Sequence, residues 1–238
     1  MVAEKNFGAA LPDWKVPARP ARAPLSGHYA GLEPLDPAGH AQQLFAAYSE
    51  DASVWDYLPY GPFTNEAEFK SWLSDKVASA DPMFFAVRDL ESGLIGGMLS
   101  FLRITPEGGS IELGHINFSS RLQRRRAATE AMTLAINWAF AAGYRRFEWK
   151  CDSLNLASRR AAARLGLSYE GVFRQATIYK GRNRDTAWFA AIDAEWPALR
   201  AAYDSWLSPE NFTAEGEQKQ RLSTLTRPVL VCHDPALS

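Results

Sequence analysis

The chain has 238 residues, of which 47% are hydrophobic, and its 26 basic and 27 acidic side chains leave a formal net charge of −1. This length and composition suit one domain with a substantial core, and the balanced charge argues against a nucleic-acid partner. With only two distant cysteines and no run of eighteen apolar residues, a disulfide framework, a zinc site and a membrane span are all disfavoured, and we expect a cytoplasmic protein.

The first eighty residues are predicted to contain an arm, a strand and two helices. Residues 1–26 carry four prolines among alanines and arginines, which is typical of an extended arm without a core of its own. Residues 28–35 form a candidate first strand, and Pro37 is suited to opening a helix that runs to about Tyr48. Thr64 is the predicted N-cap of a second helix, whose apolar residues recur at helical spacing to about Ser79.

The loop between these helices, Ser53–Phe63, holds four aromatic residues and two prolines. One interpretation is a lid whose aromatic rings pack down on the core. The other is a pocket wall, because rigid aromatic rings give contact area at a low entropy cost. In that case Trp55, Tyr57 and Tyr60 are candidate substrate-binding residues.

Three apolar runs separated by tight turns then predict an antiparallel meander. They span residues 83–87, 94–104 and 111–118. Gly114, within the third run, suits a β-bulge. The helix predicted at 127–143 leads to a further strand at 145–151, and such a strand–helix–strand unit should be parallel and right-handed.

A polar loop leads from the third of these strands into the helix. It contains Arg124, Arg125 and Arg126, and the helix that follows is apolar nearly all round, with Glu130 as its one charge. Unpaired backbone N–H groups, the helix dipole and the arginines favour a phosphate at an exposed first turn that includes Thr129 and Glu130. The alternative is a solvated basic turn that caps a core helix.

The remainder of the chain predicts a short helix, a hairpin, a closing helix and a tail. These elements span residues 155–165, 167–179 with 185–192, 194–207, and 208–238. The tail is polar apart from a patch at Val229–Cys232, which is suited to docking back on the domain. The organisation is therefore an arm at 1–26, a domain at 27–207 and a tail at 208–238.

This order of elements is similar to that of the GNAT superfamily of acyl-CoA-dependent N-acyltransferases, and local motifs extend the resemblance. Residues Gln123–Ala131 resemble the Q/R-x-x-G-x-G/A loop followed by T-E-A. Residues Asn155–Ser158, Arg164–Gly166 and Tyr169–Arg174 resemble the N-x-x-S…G-F-x-x-E-G-x-x-R signature of the branch with the RimJ/RimL-type ribosomal-protein N-acetyltransferases. The resemblance covers roughly residues 27 to 195 and includes the W-x-x-x-P loop.

The resemblance implies an α/β (α+β) fold of the GNAT type. Its mixed central sheet would contain the antiparallel meander and a splayed parallel strand pair, with helices on both faces. It further implies direct transfer of acetyl from acetyl-CoA, without a metal, to a primary amine of a peptide or protein N-terminus or of a small molecule. The family also allows a homodimer. The alternative is a catalytically inactive module of the same fold that binds acyl-CoA.

The resemblance also implies which residues hold acetyl-CoA. Backbone groups of Ile116 and Phe118 would pair with the cofactor, and Asn155 would hydrogen-bond its pantetheine arm. The phosphates would contact the loop and first helical turn, which comprise Gln123, Arg124, Arg125, Arg126, Ala127, Ala128 and Thr129. Arg126 and Ala128 stand where the family usually has glycines. If Arg126 points to solvent its N–H stays available, whereas a positive φ there would cost about 1 kcal/mol.

Three residues are candidates for proton transfer. Glu112 and His115 are the candidate bases, and a bulge between them would turn both toward the cleft. The alternatives are a surface carboxylate at 112 and a partly buried structural histidine at 115. By resemblance, Ser158 donates a proton to the departing thiolate; otherwise it is a first-turn serine behind an N-cap at Asn155.

Two further features of the closing hairpin bear on catalysis. Some relatives carry a glutamate on the strand after the E-G-x-x-R motif, but residues 175–177 read Gln-Ala-Thr, so that base is absent. Glu170 and Arg174 lie within the motif itself, and we expect them to form an internal ion pair rather than to take part in the chemistry.

Overall fold

Eight strands form one mixed sheet with helices on both faces in the computed structural model, which describes residues 7–237. The strands are β1 (Leu25–Ser26), β2 (Ala30–Pro34), β3 (Met83–Asp89), β4 (Ile95–Thr105), β5 (Ser110–Phe118), β6 (Arg146–Asp152), β7 (Ser168–Tyr179) and β8 (Arg182–Ile192). The helices are α1 (Pro37–Tyr48), α2 (Glu66–Val77), α3 (Arg126–Ala141), α4 (Leu156–Arg164), α5 (Trp196–Leu207) and α6 (Leu222–Thr226). The sheet order is β1-β2-β3-β4-β5-β6-β8-β7, which confirms the expected fold.

The one parallel pair in the sheet, β5 with β6, separates halfway along its length. Pairing runs from Ser110 and Arg146 to Leu113 and Trp149. Beyond that point β5 continues along β4 to Phe118, whereas β6 continues along β8. The predicted splay is therefore confirmed, and it leaves one edge of the last residues of β5 without a strand partner.

A β-bulge sits in β5 where the strands separate. Gly114 pairs with Ser100 and Asn117 pairs with Met98, so two residues of β5 face one residue of β4. The bulged residue is His115, whose φ is 51°, and not Gly114 as expected. Gly114 has another reason to lack a side chain, because a Cβ there would lie 2.9 Å from Leu102.

Two separate hydrophobic cores lie on the two faces of the sheet. The larger includes residues of α3, α4 and α5, such as Ala135, Ala162 and Leu199. The smaller is built by α1, α2 and the aromatic loop, with Leu44 and Phe69 fully buried. A cleft lies beside the boundary between these two layers, because β5 and the aromatic loop, Ser53–Phe63, both contribute to its walls.

Glu130, which we expected in an exposed first turn, is buried. Its carboxylate accepts the backbone N–H groups of His28, Tyr29 and Ala30 at 2.9, 2.5 and 2.6 Å. A carboxylate with several N–H donors is well compensated inside a protein. Glu130 therefore ties the start of β2 to α3, and Thr129 beside it is buried as well.

Two element starts differ from the sequence-based prediction. Leu25–Ser26 pairs with Gly31–Leu32, so the sheet begins inside the predicted arm. Asn65 rather than Thr64 caps α2, because the Asn65 side chain accepts the Glu68 N–H. The Thr64 hydroxyl instead donates to the Glu68 carboxylate.

The β7–β8 hairpin corrects two expectations. Lys180 and Gly181 both have positive φ, as in a two-residue hairpin turn, so the connection is shorter than predicted. The ion pair expected between Glu170 and Arg174 does not form. Glu170 pairs with Arg146 on β6 instead, at 2.6 Å, because β7 is irregular at these residues and β6 offers a cation closer by.

The tail docks on the domain beside its predicted apolar patch, but through polar contacts, and Val231 of the patch is 78% exposed. The Tyr169 N–H donates to the Cys232 carbonyl at 3.2 Å, beside the start of β7. Arg159 of α4 donates through two guanidinium nitrogens to the Asp234 carboxylate, at 2.7 and 2.5 Å, and both side chains are buried. The tail therefore helps to hold α4, the helix that carries Ser158.

Candidate active site in the cleft between the splayed strands

A cleft of about 710 Å³ opens where β5 and β6 separate. Strands β5 and β6, helix α4, the aromatic loop and the β7–β8 hairpin all contribute to its walls. Eight of the residues singled out from the sequence line it: Tyr57, Glu112, His115, Ile116, Phe118, Gln123, Asn155 and Ser158. The structure thus brings the expected acid–base residues and part of the expected cofactor-binding set to one place.

The end of the cleft beside β5 suits the pantetheine arm of acyl-CoA. Ile116 and Phe118 line it from the part of β5 that has no β6 partner. Asn117 between them is buried, and its side-chain Nδ2 has no hydrogen-bond partner among residues 7–237. A buried donor without an acceptor is costly unless a ligand satisfies it, and the pantetheine amides offer carbonyl acceptors. Gln123 borders this end and donates to the Phe118 carbonyl at 2.7 Å.

The first turn of α3 suits the phosphates. Its N-cap, Arg125, makes no side-chain cap hydrogen bond, so the N–H groups of Arg126, Ala127 and Ala128 have no acceptor inside the helix. Arg124 and Arg125 are exposed beside them. Unpaired donors, the positive end of the helix dipole and flanking arginines together form a site for an anion.

Neither alternative given for Arg126, a solvent-facing side chain or a positive φ, is found. Its guanidinium lies 4.5 Å from the ring centroid of Tyr29 and 4.9 Å from that of Phe212 in the tail. Position 126 has helical backbone, and the residue of the loop with positive φ is Arg124, at 62°. The missing family glycine at 126 therefore causes no backbone strain, and the strain lies two residues earlier.

Replacing Arg124 by glycine is expected to raise the free energy of unfolding by about 1 kcal/mol, because glycine adopts positive φ without a Cβ penalty. The matched Arg126→Gly variant is expected to lower it by at least about 1 kcal/mol, since glycine disfavours a helical turn and the ring contacts are lost. Urea unfolding at neutral pH measures both. Equal effects of the two variants would contradict this assignment of the strained residue.

Ser158 is positioned by its neighbours on α4 and β6. Asn155 caps α4 by accepting the Ser158 N–H at 3.0 Å, and the Trp149 indole N–H donates to Ser158 Oγ at 2.9 Å. Burial raises the pKa of the Cys151 thiol to about 11, although a hydrogen bond from Ser158 opposes the rise. Ser158 is therefore fixed at the cleft wall through its backbone N–H and its hydroxyl oxygen, beside the Cys151 thiol.

Glu112 is a buried carboxylate, which removes the surface alternative. Its Oε2 lies 2.9 Å from the Lys150 ammonium and 3.5 Å from Nε of Arg103. Lys150 also contacts Glu148, at 2.8 Å, and the ring of Trp188, with the ammonium 3.5 Å from the ring centroid. Burial raises the pKa of Glu112 despite the two cations, so this carboxylate can both accept and release a proton.

His115 faces the same cleft but is held by an aromatic cluster. Its Nδ1 lies 2.8 Å from the Tyr60 hydroxyl, and its ring stacks on Tyr60 and contacts Phe84. Burial, with Arg103, Lys76 and Arg184 nearby, lowers the pKa of His115 to about 4. The imidazole is therefore neutral at physiological pH.

The depressed pKa of His115 predicts a loss of stability in mild acid. Between pH 7 and 5 the unfolded state gains a proton on this histidine and the folded state does not, so folding should lose about 2 kcal/mol. In His115→Asn, whose asparagine tolerates positive φ, that part of the loss should be absent. Urea unfolding at both pH values measures it, and an unchanged pH dependence in the variant would contradict the prediction.

The aromatic loop combines both interpretations given above. Trp55 is buried in the smaller core and packs against Tyr60, so its side chain is not part of the cleft wall. Tyr57 lines the cleft and donates to the Leu154 carbonyl at 3.3 Å. Lys180 from the hairpin turn donates to the Trp55 carbonyl at 2.7 Å. The loop therefore closes over the cleft through contacts with two other segments.

Sequence reasoning missed three cations of the cleft, Arg103, Lys150 and Arg184. Lys150 had a signal, because Arg146, Glu148 and Lys150 alternate with apolar residues along β6 and must share a face of the sheet. Arg103 and Arg184 lie within runs assigned to a strand and a turn, and nothing local marks them as facing a cavity.

Two further findings concern the described part of the chain, residues 7–237. No group of three or more His, Cys, Asp or Glu side chains within it is arranged to hold a metal ion. None of its helices has the length and apolar character needed to cross a bilayer.

Comparison with known proteins gives concordant matches. The model of the acetyltransferase (GNAT) domain matches residues 31–168. A crystal structure of a GCN5-related N-acetyltransferase from Brucella melitensis is similar with a TM-score of 0.89 and 45% identity, over 91% of this chain and 100% of that chain. The uncharacterized N-acetyltransferase YnaD of Bacillus subtilis (strain 168) is 29% identical over 157 residues, 65% of this chain and 89% of that protein.

A crystal form of RimL, a ribosomal L7/L12 alpha-N-protein acetyltransferase, is similar at a TM-score of 0.63. It shares 20% identity, over 71% of this chain and 94% of that chain. At this identity the likeness concerns the fold alone.

Proposed function

The chain belongs to the GNAT acetyltransferase family, and we propose that it is an N-acetyltransferase that moves the acetyl group of acetyl-CoA to a primary amine. The observation that carries the proposal is the joint presence of Glu112 and Ser158 in one cleft. One is a buried carboxylate able to accept a proton, and the other is a hydroxyl aligned to donate one. Direct transfer between an amine and a thioester needs both functions.

We assign the cofactor to the side of the cleft formed by β5, α3 and α4. When bound, acetyl-CoA supplies the acetyl group as an activated thioester. The backbone of Ile116 and Phe118, the side chains of Asn117 and Asn155 and the first turn of α3 are the groups that would hold it. This assignment is supported by the unpaired donors at Asn117 and at the start of α3.

We assign the proton transfers to two residues. Glu112 accepts the proton of the incoming ammonium, directly or through water, and the adjacent Lys150 keeps the carboxylate charged until it does so. Ser158 donates a proton to the departing thiolate, because its oxygen accepts the Trp149 N–H and its hydroxyl hydrogen can turn from the Cys151 sulfur to that of the thiolate. His115, neutral and bonded to Tyr60, shapes the wall beside Glu112.

The RimJ/RimL-like branch and a cytoplasmic location are part of the same proposal. The branch is supported by the motif residues Asn155, Ser158 and Glu170, of which the first two line the cleft or cap α4. The location is supported by the two cysteines, both of which are free thiols in the structure, as expected in a reducing compartment.

A titration followed by a turnover screen tests the proposal. Isothermal titration with acetyl-CoA should give binding, and a thiol assay should then detect CoA release that depends on added amine. The panel includes amino acids, small amines, polyamines and short peptides with free N-termini. Binding without amine-dependent release from any member would favour the alternative, a catalytically inactive acyl-CoA-binding module.

A further inference from the structure

Arg184 is a cation of the cleft with no counterion of its own. It lies on β8, lines the cleft opposite β5, and forms no ion pair with any residue in the range 7–237. Its Nε is buried and has no hydrogen-bond partner in that range. Its guanidinium lies 5.7 Å from the ring centroid of Tyr179. A partly buried arginine without a carboxylate or phosphate partner is stabilised when an anion binds to it.

Arg103 adds a second cation to the same end of the cleft. Its Nε is 3.5 Å from Glu112, but the Lys150 ammonium is closer to that carboxylate, at 2.9 Å. Arg103 also has a φ of 44°, and its backbone N–H donates to the Asp81 carboxylate at 2.9 Å. Because its side chain is half exposed, it can turn toward a ligand in the cleft.

The acidic groups around these arginines have other partners. Glu112 and Glu148 both contact Lys150. Asp152 accepts the Tyr179 hydroxyl at 2.8 Å and the Leu154 N–H at 2.9 Å. Asp51 and Asp56 also line the cleft from exposed positions, and Asp51 accepts the Ser53 N–H at 2.9 Å.

The acceptor end of the cleft therefore presents charges of opposite sign, Glu112 and Arg184, between apolar walls. Tyr57, Leu58, Leu102 and Ile178 form those walls. Resting on the proposed function, we infer that the acceptor is a zwitterion, a small amino acid-like molecule with an apolar side chain. Its amine faces Glu112 and its carboxylate is bound by Arg184, with Arg103 assisting. A polyamine, which carries no anionic group, would leave Arg184 unpaired and bring further cations beside it.

Matched acceptor pairs test this inference. Phenylalanine, leucine and methionine are each compared with the amine that lacks the carboxylate, by thiol assay at saturating acetyl-CoA. We expect the carboxylate-bearing member to have a kcat/KM about 10–100-fold higher, the range of one charge-assisted hydrogen-bonded pair. Arg184→Gln should remove most of that preference, Arg103→Gln should reduce it less, and Arg184→Glu should reverse it. The exposed Arg182→Gln, on the same strand, is the matched control and should keep the preference.

Binding measurements separate this inference from the proposed function. Titration of the three amino acids into the CoA-saturated enzyme should show binding that Arg184→Gln loses while its melting temperature and acetyl-CoA affinity stay unchanged. If that holds but no amine releases CoA, the anion site stands and the proposed transfer fails. If CoA is released equally with and without the carboxylate, the inference is overturned and the transfer stands. If the amino acids do not bind, the inference is overturned, and the amine panel alone decides on the transfer. A weaker acetyl-CoA affinity in Arg184→Gln would also overturn it, because the arginine would then serve the cofactor.

Discussion

Replacing Ser158 by alanine is expected to lower kcat for amine-dependent CoA release by ~10²–10⁴-fold, the usual contribution of a positioned general acid. The affinity for acetyl-CoA should change little, because Asn155 and the first turn of α3 remain. Stability should fall by about 1–3 kcal/mol, since the Trp149 N–H loses its acceptor inside the protein. Steady-state kinetics, titration and urea unfolding separate the three effects.

Trp149→Phe is the matched control for Ser158→Ala. It removes the same hydrogen bond but keeps the serine hydroxyl, so it should reproduce the loss of stability with a much smaller loss of kcat. If both variants reduced kcat alike, the serine would be a structural partner of the tryptophan, and its role as proton donor would have to be abandoned.

Replacing Glu112 by glutamine should have a comparable effect on the other half of the reaction. Glutamine keeps the shape of the side chain but cannot accept the amine's proton, so we expect kcat to fall by ~10²–10⁴-fold. In the wild type, the rate should rise with pH as Glu112 ionises, and burial moves this rise above the ordinary pKa of a carboxyl group. The rise should vanish in the variant, as measured by kcat/KM from pH 4 to 9.

Glu148→Gln serves as the control, because it deprives Lys150 of its other carboxylate and leaves Glu112 in place. It should retain the pH-dependent rise. Should Glu112→Gln keep both its rate and its pH profile, His115 becomes the base to test. If His115→Asn were silent too, the free-base fraction of the amine would set the pH dependence, and the enzyme would contribute proximity alone.

The framework of the fold could be predicted because its signals are local. Alternating apolar runs with tight turns identified β3, β4 and β5, and the apolar helix between β5 and β6 indicated the parallel pair. The ends of elements were missed where the deciding partner is distant in sequence. The pairing of Leu25 with Leu32 and the burial of Glu130 under the N–H groups of 28–30 are examples. A local sequence pattern cannot reveal those contacts, because it does not include both of the contacting residues.

For the candidate site, the types of residue could be predicted from the sequence, but most of the contacts that these residues make could not. Glu112 and His115 were proposed because few residue types move protons, Ser158 was proposed from the family resemblance, and all three line the cleft. The positive φ of Arg103, His115 and Arg124 in and beside the site could not be recognised, because none of the three is a glycine. Likewise, the contact of Arg126 with the Phe212 ring joins residues that are far apart in the sequence.

The division of the core between the two faces of the sheet has a consequence for how such an enzyme diversifies. The aromatic loop belongs to the smaller core, whereas the first turn of α3 and α4 belong to the larger one. Substitutions in the α1–α2 layer can therefore reshape the proposed acceptor side without disturbing the packing behind the proposed acetyl-CoA site. On the proposed assignment, amine specificity can change through residues on one face of the sheet, while the acetyl-CoA site on the other face stays unchanged.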